Sequence, residues 1–79
     1  MDEKEINKIW AAYNKAAPHL SELLWLKNEI NSLISNTKNL GTFIDAINQK
    51  IQEEKTISRK TDLKIFIFYL TKNSLTLKR

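Results

Sequence analysis

Apolar side chains recur at helical spacing along most of this chain and divide it into four segments. The apolar positions of the first segment are Ile6, Ile9, Trp10, Tyr13, Ala16 and Ala17. They repeat every three or four residues, as on one face of an α-helix. Asp2 can cap this helix, with Glu5 as the returning carboxylate of a capping box. Pro18 ends it, because the residue before a proline disfavours the helical conformation. We therefore predict a first helix up to about Ala17, with Trp10 and Tyr13 in the core.

The second and third segments show the same periodicity. In the second, the apolar positions are Leu20, Leu23, Leu26, Ile30, Leu33 and Ile34. This stripe covers about two heptads, too few for an independent coiled coil, and it favours a bundle helix. Gly41 is predicted to end that helix in the left-handed conformation. Thr42 is predicted to cap a third helix, with Asp45 in its first turn. The apolar positions of that helix are Phe43, Ile44, Ala46, Ile47 and Ile51, opposite a polar face.

The fourth segment allows two interpretations. Ser58 or Thr61 can cap a helix that ends at Asn73. Its apolar residues at i, i+3, i+4 and i+7 are Leu63, Phe66, Ile67 and Leu70. Residues 65–69 are also rich in β-branched and aromatic types, so they could form a strand that turns at 72–74 and returns through 75–77. The helix is favoured, because an isolated two-stranded hairpin is marginal in water.

The predicted fold is thus a single all-α domain of residues 1–79, a small bundle of three to four amphipathic helices. Its alternative is three helices plus a C-terminal β-hairpin. A fourth helix that is apolar on most sides is expected either at the centre of the bundle or with a second face docked on a partner.

Charge is distributed unevenly along the chain. From Lys55 to the C-terminus there are seven Lys and Arg residues against one Asp, whereas the first 54 residues carry six Lys against eight Asp and Glu. The formal net charge of +4 therefore comes from the C-terminal third. This asymmetry predicts a C-terminal segment that buries an apolar strip while it presents positive charge to an anionic partner.

Several classes of function are disfavoured by composition. The chain has no cysteine and His19 is its only histidine, so neither a disulfide nor a thiolate zinc site is expected. Gly41 is the only glycine, too few for a phosphate-binding loop. We predict no catalytic residue, no metal and no cofactor, and hence no enzyme.

The N-terminal residues do not resemble a signal peptide, and the longest apolar run is far shorter than the ~20 residues of a membrane span. A cytoplasmic protein is expected.

The candidate partner-binding residues are Trp25, Arg59, Lys60, Lys64 and Lys72. Helical spacing places Trp25 opposite the apolar stripe of its own helix. It could pack on a neighbouring helix. It could also be an aromatic anchor, either for a partner or for a second copy of this chain in a homo-oligomer. We predict that it lies partly outside the core.

The basic residues have three interpretations. They could form a solvated face that keeps an apolar segment soluble. They could bind nucleic acid, although a recognition helix should be polar and basic, and this segment carries Ile, Phe and Tyr. They could also contact a protein with an acidic surface or an anionic membrane surface. A protein partner is favoured, and a small basic nucleic-acid-binding regulator is the alternative.

In size, charge and predicted helices the chain is broadly similar to cytoplasmic immunity proteins of pediocin-like bacteriocin producers and to small phage-encoded inhibitors. No residue motif carries this likeness, so it transfers no functional residue. It only favours a binding protein over an enzyme, and our hypothesis is a microbial accessory protein of immunity or inhibitor type. The abundance of Lys, Ile and Asn is typical of AT-rich coding and suggests a bacterial or phage source.

Overall fold

A computed structural model of the protein describes the backbone of residues 1–77 and the side chains of residues 1–72. The chain forms four helices, α1 (Glu3–Ala16), α2 (Leu23–Asn36), α3 (Leu40–Glu53) and α4 (Ile57–Leu77), and a 3₁₀ turn, Ala17–His19, follows α1. No strand occurs within residues 1–77. The all-α prediction is confirmed, and the segment with the alternative hairpin interpretation is helical through Leu77.

Helix α4 contacts each of the other three helices, most extensively α1 and α3. Among its described side chains the buried apolar residues are Leu63, Phe66 and Leu70, three of the four positions of the predicted stripe. Phe66 meets Phe43 of α3 edge to face, with ring centroids 6.1 Å apart. The cluster is completed by Ile9, Ala12, Leu26, Ile30, Leu33 and Ile47. This position explains why α4 carries apolar residues on several sides.

The N-terminus of α1 is only partly as predicted. Asp2 is the N-cap, and its side chain accepts a hydrogen bond from the Lys4 amide at 3.4 Å. Glu5 does not complete a capping box. Its carboxylate instead accepts from the backbone N–H of Leu40, the first residue of α3, at 3.1 Å. The first amides of a helix have no partner within the helix, so a carboxylate from α1 satisfies one of them.

The residues predicted to end the second helix and to cap the third were wrong. Gly41 lies in the first turn of α3 and its φ is not positive, so it does not end α2. Asn39, and not Thr42, is the N-cap of α3. Asn39 and Thr42 form a reciprocal capping box, in which the Thr42 amide donates to Asn39 Oδ1 at 2.9 Å. Two residues able to cap helices stand close together here, and the earlier one extends the helix by a turn.

Two expectations about the core need correction. Trp10 and Tyr13 are half-buried instead of central, and their rings pack edge to face at the margin of the core, 5.6 Å apart. Leu23, the first residue of α2, is 41% exposed. The Tyr13 hydroxyl donates to the Leu23 carbonyl at 3.0 Å, and burial raises the pKa of Tyr13 above its ordinary value.

Candidate partner-binding surface

A buried carboxylate fixes the rotation of α4. Asp62 has no exposed surface, and its two oxygens accept hydrogen bonds from the backbone N–H of Ser21 at 2.9 and 3.1 Å and of Glu22 at 2.6 Å. Glu22 is the N-cap of α2 and its own side chain makes no capping bond. Asp62 therefore supplies from α4 the acceptor and the negative charge that the start of α2 requires.

Because Asp62, Leu63, Phe66 and Leu70 point inward, the opposite side of α4 faces solvent. Ile57 is 81% exposed and Phe68 is 56% exposed on that side, and Thr61 and Lys64 lie between them. We call these four residues the outer face of α4. They extend over about 16 Å at 1.5 Å per residue. Lys60, half-buried, lies at its edge one turn before Lys64.

A groove runs beside this outer face, between α4 and the 3₁₀ turn that follows α1. The imidazole of His19 stacks on the ring of Tyr69, with centroids 6.1 Å apart and planes 11° from parallel. Together with Lys64, Ile65 and Phe68 these two residues line an open, mostly apolar depression of about 360 Å³. We call it the His19 groove. Its volume lies at the lower end of the range for small-molecule sites.

Two lysines at the outer face of α4, Lys60 and Lys64, belong to no salt bridge within the described side chains. Within the described side chains, the ion pairs are Lys50 with Glu29 and Arg59 with Glu22, so neither Lys60 nor Lys64 belongs to one. The only acidic residue of α4 is Asp62, which is buried and directed at α2. The ammonium of Lys72 lies 5.5 Å from the centroid of the Phe68 ring, a cation–π contact. Basic charge therefore surrounds an exposed aromatic ring.

Trp25 and Arg59 form a separate cluster with Glu22. Trp25 is half-buried and packs against the edge of the core, in agreement with the predicted position partly outside it. The Arg59 guanidinium lies 5.0 Å from the centroid of the Trp25 ring. Its Nε is 3.3 Å from Glu22 Oε2, which also accepts from the Ser58 hydroxyl at 2.8 Å. Arg59 thus has two partners within the protein.

The structure therefore divides the candidate residues into two groups. Lys60, Lys64 and Lys72 lie along the exposed side of α4, whereas Trp25 and Arg59 contact each other where α2 meets α4. The partner-binding role of both groups stays a prediction.

Sequence reasoning missed the His19 groove. Lys64, Phe68 and Lys72 are spaced at i, i+4 and i+8, a pattern that could have placed Phe68 among the cations on the solvent side. His19 gave no such signal. Its ring reaches Tyr69 of α4 from the 3₁₀ turn, through a tertiary contact that no local pattern indicates.

In the part of the chain that the structure describes, no group of His, Cys, Asp or Glu side chains is placed to hold a metal ion. No helix within that part is long and apolar enough to cross a membrane. Comparison of the chain with protein-family models, with curated proteins and with solved structures gave no match.

Proposed function

We propose that this protein acts without catalysis, by binding another protein through the outer face of α4 and the adjacent His19 groove. The observation that supports this most directly is the exposure of Phe68 and Ile57 beside Lys60 and Lys64, which form no salt bridge with any described side chain. Exposed large apolar residues with a polar rim are typical of protein interaction sites. The positive charge of Lys60 and Lys64 leads us to expect a negatively charged surface on the partner.

The likeness in size, charge and helix content to immunity proteins and phage inhibitors suggests what the binding achieves. A small bundle that occupies a functional surface of a larger protein can block or protect it with no chemistry of its own. We therefore propose an accessory protein of immunity or inhibitor type that works in the cytoplasm of a microbial host.

Binding of nucleic acid is the rival function. Lys60 and Lys64 could contact phosphates, but α4 presents Ile57 and Phe68 along the same face, where a recognition helix would carry polar residues. Contact with an anionic membrane is the other rival, since basic residues next to apolar side chains also adhere to such surfaces.

The test compares two double variants of matched chemistry. Phe68→Ala with Lys64→Glu alters the outer face, and Leu24→Ala with Lys27→Glu makes the same kinds of change on exposed positions of α2. A protein captured by the parent is purified, and its affinity for the parent and both variants is measured by calorimetry. We expect the α4 variant to lose at least about tenfold and the α2 variant less than about twofold.

The same proteins are then tested on duplex DNA at low and moderate salt and on vesicles that contain phosphatidylglycerol. Binding to DNA that weakens steeply with salt, and that the α4 variant abolishes, would replace the proposal with the nucleic-acid function. Equal affinity of both variants for the purified protein partner would exclude the outer face of α4 as its binding site.

A further inference from the structure

We infer that the occupant of this surface is an acidic amphipathic helix of another protein, which lies along the outer face of α4 and inserts one large apolar side chain into the His19 groove. This inference rests on the proposed function and specifies the partner's chemistry.

The spacing along α4 supports a helical occupant. Ile57, Thr61, Lys64 and Phe68 follow one another at intervals of four, three and four residues. This is the interval at which one helix presents a seam to another helix that packs along it. An added helix would cover Phe68 and Ile57, the two large apolar residues that α4 leaves exposed among its described side chains.

The shape of the groove supports a single inserted side chain. It is lined by the stacked rings of His19 and Tyr69 and by Phe68, which meets Tyr69 edge to face at 5.6 Å. Because the depression is open and small, it suits a Leu or aromatic side chain carried by a partner more than an enclosed ligand. Helices that bind in grooves use such anchors at i, i+3 or i+4, and i+7.

The charge of α4 favours a foreign helix over a second copy of this chain. In a two-fold symmetric dimer the same patch meets itself, so Lys60 and Lys64 of one copy would approach those of the other. No acidic residue on α4 could relieve that repulsion, because Asp62 is buried and directed at α2. A helix with Glu or Asp beside its apolar stripe would instead pair with both lysines.

A selection from a library of random 20-residue peptides displayed on phage tests the inference, with the full-length protein as target. We expect enriched peptides with Leu or aromatic residues at i, i+3 or i+4, and i+7, flanked by Glu or Asp. Circular dichroism should show that they gain helix on binding. Phe68→Ala should weaken a selected peptide at least about tenfold, whereas Leu24→Ala should change its affinity less than about twofold.

A charge exchange identifies the ion pair. Lys64→Glu should weaken an acidic peptide, and replacement of the peptide's facing Glu by Lys should recover most of that loss. Lys27→Glu is the control on α2. The inference is overturned if no peptide is enriched, if enriched peptides lack acidic residues or bind in extended form, or if Phe68→Ala leaves their affinity unchanged.

Failure of this inference can be told from failure of the proposed function. One outcome is that the purified natural partner loses affinity for the double variant Phe68→Ala with Lys64→Glu while the peptides show none of the expected features. That result supports the binding surface and contradicts the helical occupant. If the natural partner is insensitive to that variant, the surface itself is wrong, whatever the peptides show.

Discussion

The inner and outer faces of α4 carry similar residues, but those of the inner face are buried and those of the outer face are exposed. On the inner face Leu63 and Phe66 have no exposed surface, and the one charged group, Asp62, is hydrogen-bonded to two backbone amides. On the outer face Phe68 is 56% exposed, and Lys64 forms no salt bridge with any side chain that the structure describes. The residues of the inner face contact other parts of the fold, whereas those of the outer face are accessible to another molecule. Stability and binding should therefore separate cleanly when the two faces are altered one at a time.

The largest separation is expected between the two phenylalanines. Phe66→Ala removes a fully buried ring from its contact with Phe43 and should cost about 3–5 kcal/mol. Phe68→Ala removes a largely exposed ring and should change stability by no more than about 1 kcal/mol. Urea denaturation followed by circular dichroism measures both. Equal losses would show that the outer face also contributes to the core.

Total stability is expected to be on the order of 5 kcal/mol for a domain of this size, so Phe66→Ala could be largely unfolded. Phe66→Leu provides a milder variant that keeps the measurement possible. It should still lose more than Phe68→Leu, which differs from it only in the face of the helix.

The second-largest loss of stability is expected on substitution of Asp62. Its removal in Asp62→Ala leaves the amides of Ser21 and Glu22 unpaired at the start of α2 and should cost about 3 kcal/mol, since charge-assisted hydrogen bonds contribute about 1.5–3 kcal/mol each. Asp62→Asn keeps one acceptor oxygen and should lose less. Asp45→Ala, on an exposed position of α3, is the control and should be nearly neutral.

Chemical denaturation again provides the measurement, and hydrogen exchange localises the effect. Faster exchange in the first turn of α2 is expected for the Ala variant, because that turn depends on Asp62 for its cap. An Asp62→Ala protein as stable as the parent would mean that water satisfies both amides equally well.

Asp62 also shows why the sequence predicted the helices better than their caps. The stripe of Leu63, Phe66 and Leu70 repeats within a few residues, so periodicity alone identified it. Asp62 caps α2 from 40 residues away in the sequence, and no local pattern indicates such a pairing. Glu5 is a second example, because its carboxylate accepts a hydrogen bond from the first amide of α3 instead of capping its own helix. The His19 groove depends on a tertiary contact as well and was equally hidden.

Residues between the two faces should show intermediate effects. Arg59 contacts Trp25 and Glu22 and is only partly exposed. Arg59→Gln should therefore cost about 1 kcal/mol, since a cation–π contact and a partly exposed salt bridge each contribute about 0.5–1 kcal/mol. Lys64→Gln should be neutral for stability, because Lys64 has no ion-pair partner among the described residues.

A double-mutant cycle with Glu22→Gln separates the two contributions of Arg59. The coupling energy reports the ion pair, and the remainder reports the contact with Trp25. Absence of any stability loss in Arg59→Gln would return Arg59 to the residues available for a partner, as the sequence alone had suggested.

A small effect on stability is expected at His19, where the groove meets the fold. His19 is exposed and its main described contact is the stacked ring of Tyr69, so His19→Ala should cost about 0.5 kcal/mol. The same substitution removes one wall of the groove. If an anchor side chain binds there, affinity for a selected peptide should fall at least about threefold while the unfolding midpoint hardly moves. His19→Phe keeps a ring that can stack on Tyr69 and should retain most of the affinity. A His19→Ala protein that binds as tightly as the parent would show that the occupant contacts the outer face of α4 without entering the groove.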